Sequence, residues 1–535
     1  MIELPTITLD TTLTDLYRCA SPRNADKRIA QVLSLVNSGS ELNPNVPRNA
    51  KYLYQDSPFN AVPKDPSSSS LPGDDGGRQQ QRELAVKYLS LIPQRDAFIS
   101  GDTAVVLFRI NDSKKQKLHD QREAERTLSV LSKTQQPDLI FCPGPSEIPI
   151  KEPGIDLIAY KVVLDGLESY NNLIVPPETH WFLNSKAALA QSGLPTPKAK
   201  ILEVDGLAGD ACACCASCHG GDAAEFVIPE SCTGSRGRWL EEQSERIYTD
   251  LESHPLPFVL KNQQTFGGAG TYIINDGDER QKLVQDFRNG ILRKLLSSAT
   301  ESNAHLQPAA LILSEVVENP MENYGLTFFV GDDGSDPIFL AASEQMTDGD
   351  NAWIGSTINY RRQNELERKF GLLVKKIATW LRGYGYVGPA GADVLETASS
   401  TACPQTNGTT NGAVNGVTDG NSHATNGNSD FSNFHIVDLN IRTSGSMCLP
   451  LLQTHFTTRS FWSASSFSIS YNKSREAFIE SFREDFKAGK MCIISWYEDP
   501  ETGRSLADVA VGAEDVDELR RAMKRVRDAT KEVTF

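Results

Sequence analysis

The spacing of apolar and polar positions predicts alternating strands and helices from about residue 84 onward. Short apolar runs at 104–110, 138–142 and 156–160 are typical of strands, and the longer pattern at 121–131 is typical of a helix. Strands separated by helices favour a mainly parallel sheet that is covered on its faces. We therefore expect an N-terminal α/β domain over residues 1–180.

The first 80 residues carry a weaker pattern. Six apolar residues stand at roughly helical spacing: Leu13, Leu16, Ile29, Val32, Leu33 and Leu35. After them, residues 66–78 are rich in Ser, Gly and Asp and lack the apolar residues that a core requires. This composition predicts a flexible connector at about 64–80 inside the N-terminal domain.

The central part of the chain predicts a second, larger unit. A helical pattern at 184–193 ends in a glycine and is followed by a strand through Leu202, and a further helix is expected at 239–251. Together with the strands described below, these elements predict a two-lobed core at 181–470. A lid subdomain would occupy about 196–310 of this core.

A long polar segment interrupts the core. Residues 397–433 are rich in Asn, Gly, Thr and Ser and have almost no large apolar residue, which predicts a disordered insert. The insert lies between two strand-like runs at 392–395 and 434–439, so it would extend the tip of a hairpin at small entropic cost. Beyond the core, 471–535 predicts a small C-terminal α/β element with strands at 491–496 and 507–511 and a helix from Asp515.

Composition narrows the classes of partner. The 535 residues are 39% hydrophobic and 23% charged, without the run of roughly 18 uncharged apolar residues that a membrane-spanning helix needs. Residues 1–9 lack the features of a secretory signal, so a soluble, cytoplasmic protein is expected. A formal net charge of -16 argues against nucleic acid as the main partner. It does not exclude a nucleotide, which a few local basic residues can hold.

The first candidate for chemistry is the segment 257–274. An apolar strand ends in Lys261, glycines follow at Gly267, Gly268 and Gly270, and a β-branched strand leaves the turn. The glycines allow backbone N–H groups to approach phosphate oxygens, and the lysine adds positive charge. The order of strand and lysine does not fit a dinucleotide-binding loop, a Walker A loop or a protein kinase. An ordinary glycine hairpin remains the alternative.

The second candidate is a set of polar residues in two apolar strands near the end of the core. Asp393 lies in the first strand, and Asp438, Asn440 and Arg442 occupy alternate positions of the second, so these three share a face. If the strands pair as a hairpin, Asp393 joins them. Two carboxylates and an amide oxygen suit Mg²⁺, and arginine suits a phosphate. The alternative is a polar edge that faces solvent.

In this order and spacing, the motifs resemble the ATP-grasp superfamily over roughly 181–461, about half of the chain. The resemblance implies roles for matching positions. Lys186 and Lys261 would bind nucleotide phosphates, and Gly267, Gly268 and Gly270 would form a flexible phosphate lid. Glu315, Val317 and Glu318 would lie in the hinge that holds adenine, although Ser314 stands where the family usually has glutamate.

The resemblance also implies the reactive centre. Asp393, Asp438 and Asn440 match the magnesium ligands, with Mn²⁺ as a further possibility, and Arg442 matches the catalytic arginine that holds the transferred phosphoryl group or acyl-phosphate. The runs at 343–347 and 353–358 resemble a subgroup linked to peptide-like and natural-product ligation in secondary metabolism. By the same analogy a turn would cradle the acyl substrate, namely Ser444, Gly445 and Ser446, unless this is an ordinary turn.

The implied function is an ATP-dependent carboxylate–amine ligase that forms an amide through an acyl-phosphate and releases ADP and phosphate. Its partners would be a small carboxylic acid and an amine, with an amino acid expected among them and a homodimer possible. No nucleic acid and no membrane are expected. The alternatives are an ATP-grasp small-molecule kinase and a nucleotide-binding regulatory protein without turnover.

A cysteine cluster stands apart from this chemistry. The run Cys212-x-Cys214-Cys215-x-x-Cys218-His219 has enough sulfur and imidazole for tetrahedral zinc, and Cys232 follows nearby. A structural zinc site normally pairs two Cys-x-x-Cys knuckles, and only Cys215 and Cys218 have that spacing. We therefore favour a mobile insertion in the lid over a zinc site, and the sequence leaves both open.

Overall fold

The computed structural model describes most of the chain: residues 4–34, 50–54, 91, 93–108, 113–151, 154–207, 215, 218, 227–265, 270–332, 334–347, 353–398, 431–500 and 503–530. Several predicted features lie outside these residues. They are the connector at 64–80, most of the 397–433 insert, Gly267, Gly268, Cys212, Cys214 and His219.

A four-stranded parallel sheet forms the N-terminal domain, as the alternation of strands and helices predicts. Its strands are β1 (Ile29–Val32), β2 (Ala104–Phe108), β3 (Asp138–Cys142) and β4 (Leu157–Tyr160), in the order β3-β2-β1-β4. Each neighbouring pair is parallel. The intervening helix spans Lys114–Leu128 and so begins earlier in the chain than its apolar pattern indicates.

The helical spacing assigned to the first residues is wrong for its second half. Leu13 and Leu16 do lie in a helix, Leu13–Ala20, where Thr12 and Asp15 form a capping box. Ile29 and Val32 instead lie in β1, which pairs with a strand on each side. All four residues of β1 are buried, so no period-two alternation marks this strand, and its apolar residues fit a helical spacing by chance.

A four-stranded antiparallel sheet forms the predicted lid. Its strands are β5 (Ala199–Leu202), β6 (Phe258–Asn262), β7 (Thr271–Ile274) and β8 (Leu311–Glu315), in the order β5-β8-β6-β7. One face packs against helices Ser235–Ser253, Gly277–Asp286 and Leu292–Ser297 through buried Leu, Ile and Phe side chains.

An eight-stranded antiparallel sheet forms the other lobe and continues into the C-terminal region. Its order is β13-β12-β9-β10-β11-β14-β16-β15. The strands are β9 (Glu322–Val330), β10 (Ile338–Thr347), β11 (Trp353–Asn359), β12 (Gly388–Glu396), β13 (Phe434–Asn440), β14 (Ser463–Tyr471), β15 (Met491–Glu498) and β16 (Ser505–Ala513). The fold class predicted from the sequence, an α/β domain followed by a two-lobed core and a C-terminal α/β element, is confirmed.

The remaining helices cover this sheet or connect it to the rest of the chain. They span Pro177–Leu183, Lys186–Gln191, Gln363–Gly383, Cys448–Leu451, Gln453–Thr457, Arg475–Ser481, Arg483–Lys487 and Val516–Ala529. Residues 316–321 run from β8 to β9 and so cross from one lobe to the other. None of the helices in the described part of the chain is both long and apolar enough for a bilayer crossing.

Aromatic packing fixes the parallel sheet against the core. The Tyr17 ring meets the edge of Phe329 in β9 at 4.9 Å, and Trp181 packs on Tyr52 and Tyr54. All five side chains are buried. The carboxyl ends of β1 and β4 therefore lie beside the end of β13, where the predicted site residues are found.

Candidate active site

Two carboxylates face each other across the β12–β13 hairpin. The register sets Asp393 opposite Asp438 and Gly391 opposite Asn440. The Asn440 amide nitrogen lies 3.4 Å from Asp393 Oδ2. Pairing of the two strands therefore brings the three predicted metal ligands together, as the alternation of polar residues indicates. Like charges directly opposite in an antiparallel pair repel each other, so this arrangement calls for cations nearby.

Two lysines from different elements supply positive charge. Lys186, the first residue of its helix, donates from Nζ to Asp438 Oδ1 at 2.5 Å. Lys261 reaches across from β6 and donates to the carbonyl oxygen of Val437 at 2.6 Å. Val437 is the extra residue of a β-bulge, since Asp393 pairs with Asp438 but Val394 pairs with Ile436. Strand β6 thus contacts the β12–β13 hairpin through a lysine.

Gln263 ties the two lysines to each other. Its backbone carbonyl accepts from Lys186 N–H at 3.1 Å, and its side-chain oxygen accepts from Ala187 N–H at 3.1 Å. These are N–H groups of the first helical turn, which have no partner inside the helix. The strand that carries Lys261 therefore also holds the helix end that carries Lys186.

The charges shift the pKa values of these groups in opposite directions. Burial, then Asp438, raises the pKa of Asp393 to about 7. Burial alone would also raise the pKa of Asp438, but the positive charges of Lys186 and Lys261 together lower this pKa. Burial lowers the pKa of Lys261 to about 8, against the attraction of Asp438. The two carboxylates are thus inequivalent before any ligand is bound.

Arg442 lies two residues past the end of β13, and Asn184 positions this segment. The Asn184 side-chain oxygen accepts from Ile441 N–H at 3.1 Å and lies 3.5 Å from an Arg442 guanidinium nitrogen. His180 Nε2 lies 2.8 Å from the Ile441 carbonyl oxygen. Burial lowers the pKa of Arg442, while Asp438, Tyr54 and Asp393 counteract this effect.

Gln345 is a site residue that sequence reasoning missed. It lies in the run 343–347, and its Nε2 donates to Asp393 Oδ1 at 2.8 Å although β9 separates the two strands. Gly325 of β9 lies opposite Asp393, and a Cβ added there would meet Gln345 Nε2 at 2.3 Å. Because Gly325 has no side chain, the Gln345 side chain can pass over β9 and reach Asp393. A glycine inside a strand was the available signal.

The predicted hinge residues follow the end of β8. Glu315 is exposed, and its backbone N–H donates to the Lys198 carbonyl oxygen at 2.9 Å, so this N–H already has a partner. Val317 and Glu318 lie in the crossing between the lobes. An adenine contact through Glu315 and Val317 stays a prediction.

The phosphate lid and the predicted substrate turn are described in part. Gly270 has φ +64°, and Asn262 N–H donates to its carbonyl oxygen at 2.9 Å. A Cβ at Gly270 would meet the Asn262 side chain at 2.8 Å, so this position requires glycine. Ser444, Gly445 and Ser446 form a turn that leads into a short helix, with the two serine hydroxyls 3.2 Å apart. Their substrate role stays a prediction.

A pocket with a mixed polar and apolar lining lies beside Arg442, where the parallel sheet meets the core. Arg442 and Thr443 line it from one side, and Gln31 and Lys161 line it from the carboxyl ends of β1 and β4. The space between the lining residues, open solvent included, is about 380 Å³, of which about 20 Å³ admits the centre of a water-sized molecule. In the strand order β3-β2-β1-β4, β1 has β2 as its neighbour on one side and β4 on the other. The direction of the strand order therefore reverses at β1. Open α/β sheets bind ligands at such a position.

Three side chains that line this pocket each carry a buried polar atom without a hydrogen-bond partner in the described part of the chain. Among the described residues, Gln31 Nε2, His180 Nδ1 and Thr443 Oγ1 have no hydrogen-bond partner, although the three side chains are at most 4% exposed. An unpaired buried polar group costs about 1–3 kcal/mol. Lys161 forms an ion pair with Asp96, and burial lowers its pKa to about 8 in spite of that pair. A bound polar molecule would satisfy the three atoms.

The cluster around Asp438 fits a divalent cation and the phosphates of a nucleotide. The donor set is two carboxylates and one amide, which offers the hard oxygen ligands that Mg²⁺ prefers. Gln345 donates to Asp393 and Lys186 donates to Asp438, so each carboxylate also has a protein partner. Lys186, Lys261 and Arg442 are the cations that could hold phosphates accompanying such an ion.

Comparison with known proteins finds a distant similarity of three-dimensional structure. No family model and no curated protein match the chain. An N5-carboxyaminoimidazole ribonucleotide synthetase in its ADP complex is 11% identical, with 98% of this chain and 97% of that chain covered and a TM-score of 0.45.

Two further structures show the same range of similarity. The biotin carboxylase domain dimer of the Hydrogenobacter thermophilus 2-oxoglutarate carboxylase, with MgADP, ADP and bicarbonate, is 12% identical over 80% of this chain and 85% of that chain, with a TM-score of 0.41. An N5-carboxyaminoimidazole synthase from Aspergillus clavatus, with ADP and 5-aminoimidazole ribonucleotide, is 10% identical over 94% and 98%, with a TM-score of 0.40. These similarities are too distant to assign a function, which rests below on this chain's own residues.

Proposed function

We propose that this protein is an ATP-dependent carboxylate–amine ligase of the ATP-grasp type. The observation that carries the proposal is the convergence of Asp393, Asp438 and Asn440 on one hairpin with Lys186, Lys261 and Arg442 around it. These residues come from both lobes of the core. A nucleotide held between two lobes requires this placement, since one lobe supplies metal ligands and the other covers the phosphates.

The nucleotide would lie between the two antiparallel sheets. Asp393, Asp438 and Asn440 would hold Mg²⁺, which supplies charge neutralisation on the phosphates when bound. Lys186 would exchange its present partner Asp438 for a phosphate oxygen, and Lys261 would exchange the Val437 carbonyl in the same way. Each exchange replaces an existing hydrogen bond, so the charges are in place before the nucleotide arrives.

The reaction that follows has two steps. An oxygen of the substrate carboxylate attacks the γ-phosphorus of ATP, the bond to the β–γ bridging oxygen breaks, and ADP leaves with an acyl-phosphate remaining. The nitrogen of an amine then attacks the acyl carbon, phosphate leaves with the electron pair of the C–O bond, and the amine loses a proton to give the amide. Arg442 would hold the phosphoryl oxygens through both steps.

We assign the carboxylic acid to the pocket beside Arg442. This pocket shares Arg442 with the carboxylate cluster, so a molecule bound there lies next to the phosphates. Gln31, His180 and Thr443 offer the unpaired polar atoms described above, and these would bind polar groups of the acid. Recognition by buried polar atoms gives strong selectivity, because a substrate without the matching group leaves them unpaired.

Product analysis tests the proposal. Purified protein would be incubated with ATP, Mg²⁺ and a mixture of amino acids and small carboxylic acids, with nucleotides and new masses resolved together. The proposal expects ADP, phosphate and the mass of an amide, and the amide mass identifies both substrates. The matched control is Asp438→Asn protein, which should give none of the three.

Three results would contradict this assignment. AMP and pyrophosphate would indicate adenylation of the acid. ADP together with a phosphate ester would indicate a kinase that phosphorylates a hydroxyl. ATP binding without consumption in the presence of any acid and amine would indicate a regulatory nucleotide-binding protein.

A further inference from the structure

Three cysteine sulfur atoms meet in the lid, far along the chain from the proposed catalytic residues. The sulfurs of Cys215, Cys218 and Cys232 all lie within 4.8 Å of one another. Cys218 Sγ lies 3.4 Å from Cys232 Sγ. Cys215 and Cys232 are buried, at 4% and 9% exposure. Neither nucleotide binding nor ligation uses these residues, so the cluster needs a separate explanation.

Local backbone structure holds the three positions. Cys218 N–H donates to the Cys215 carbonyl oxygen at 3.1 Å, which links these two cysteines directly. Cys232 N–H donates to the Pro229 carbonyl oxygen at 3.0 Å. A Cβ at Gly237 would meet the Cys232 carbonyl oxygen at 1.9 Å, so glycine lets helix Ser235–Ser253 pack directly on this cysteine. The third sulfur is thus fixed by a glycine contact.

Positive charge lies beside the sulfurs. The Arg236 side chain is only 4% exposed, and its Nη1 lies 4.0 Å from Cys218 Sγ. The 19-residue helix begins three residues after Cys232, and its N-terminus carries partial positive charge. A cation and a helix N-terminus are the usual means by which a protein stabilises cysteine thiolates.

We propose that Cys215, Cys218 and Cys232 bind a zinc ion that stabilises the lid. Zn–S bonds of about 2.3 Å in tetrahedral geometry separate the sulfurs by about 3.8 Å, which agrees with the observed spacing. The three thiolates would fill three positions, and a ligand outside this set would fill the fourth. Cys215 and Cys232 also pack in the apolar core of the lid together with Leu240, Phe258 and Leu313. The ion would therefore join the chain around 215–218 to this core.

Metal analysis of the purified protein tests the site. Protein prepared with a reductant and supplied with zinc should retain about one zinc per chain after gel filtration, because the ion is structural. Cys232→Ser and Cys218→Ser protein should retain almost none. Cys492→Ser is the matched control, since Cys492 is also a buried cysteine but lies in β15, and it should retain zinc like the wild type.

Two further measurements do not depend on a variant that folds. Removal of the ion by a chelator should lower the wild-type Tm, and zinc should restore it while Mg²⁺ should not. Cobalt substitution should produce the absorption of thiolate-to-cobalt charge transfer. The proposal is overturned if zinc-supplied wild type holds no metal, or if Cys232→Ser retains it. A Cys218–Cys232 disulfide in peptide mapping of protein kept under physiological reductant would also overturn it.

Discussion

Arg442 separates two polar regions that differ in how far their charges and hydrogen bonds are already satisfied. On one side, Asp438 accepts from Lys186, and Asp393 accepts from Gln345. On the other side, Gln31, His180 and Thr443 each keep a buried polar atom without a partner among the described residues. The first region is more open, with Asp438 27% exposed, whereas these three side chains are nearly inaccessible.

The difference indicates two kinds of preorganisation. Under the proposed function, the region around Asp438 would bind groups that every turnover shares, and its charged partners would keep it assembled between turnovers. The pocket would bind the group that distinguishes one acid from another, and its unpaired atoms would lower the free energy of unfolding until that acid is bound. Variants on the two sides should therefore differ in what they change, with nucleotide chemistry affected on one side and substrate recognition and folding on the other.

Loss of the Asp438 charge should have the largest effect. Asp438→Asn keeps the shape of the side chain but removes the charge that Lys186 and the metal share, so the rate of ADP formation should fall by at least about 100-fold. The circular dichroism spectrum should stay unchanged. Asp336→Asn is the control, since Asp336 pairs with Lys375 at the surface, and activity near that of the wild type in Asp438→Asn would refute the metal assignment.

Loss of the Lys261 charge should have the second-largest effect. A hydrogen bond to a charged group contributes about 1.5–3 kcal/mol, so Lys261→Met should weaken nucleotide binding by roughly 10- to 100-fold. Calorimetric titration with a nonhydrolysable ATP analogue measures this change. Lys282→Met, at an exposed position of helix Gly277–Asp286, should bind like the wild type. Equal affinity in both variants would remove Lys261 from the site.

The contact of Gln345 with Asp393 should contribute less. Gly325→Ala places a methyl group in the path of Gln345, so both Gly325→Ala and Gln345→Ala should weaken Mg²⁺-dependent turnover by roughly 3- to 30-fold. The double variant should be no worse than Gln345→Ala alone, because both changes remove one contact. Turnover is measured as a function of Mg²⁺ concentration. If the losses caused by Gly325→Ala and Gln345→Ala add in the double variant, Gly325 acts through some other contact.

On the pocket side, Thr443→Val should separate recognition from folding. The substitution removes the unpaired hydroxyl at nearly constant volume, so the free energy of unfolding should rise by about 1 kcal/mol. The KM for the acid should rise by roughly 2- to 10-fold, whereas the Kd for ATP should not change. A loss of ATP affinity would place the acid elsewhere.

His180 should affect the dependence of stability on pH below neutrality. Burial lowers its pKa from 6.5 to about 4, so between these values the unfolded chain binds a proton that the folded chain does not. Stability therefore falls as the pH falls, and the contribution of His180 between pH 7 and pH 5 is about 2 kcal/mol. His180→Gln can still donate to Ile441 and should lose less stability over this interval in urea titrations. Equal losses would contradict a neutral His180.

Sequence reasoning predicted those parts of the site that lie within single elements or adjacent ones. Alternation in β13 placed Asp438 and Asn440 on one face, and the composition of the 397–433 insert indicated that the strands on either side pair as a hairpin. That pairing brought Asp393 to them. The parallel sheet followed from the alternation of strands and helices, except that β1 was missed because it is buried throughout.

The remaining site residues could not be predicted because distant parts of the chain bring them together. Gln345 reaches Asp393 only because β9 lies between their strands and carries a glycine there. Asn184 reaches Ile441 across 257 positions of sequence. The pocket forms only where β1 and β4 meet the segment after β13. Local sequence patterns do not determine the order of strands in a sheet, so they could not predict this meeting.

The base of the β12–β13 hairpin offers a point of attachment for protein engineering. Thr397 N–H donates to the Asn433 carbonyl oxygen at 2.9 Å, and the Thr397 hydroxyl lies 3.2 Å from His435 Nε2. A fluorescent domain spliced in after Thr397 and before Asn433 would thus be joined to the hairpin at two hydrogen-bonded residues. Under the proposed function, Asp393 lies only a few residues from this junction, so such a fusion would report nucleotide binding as a change in light emission, without a label on either lobe.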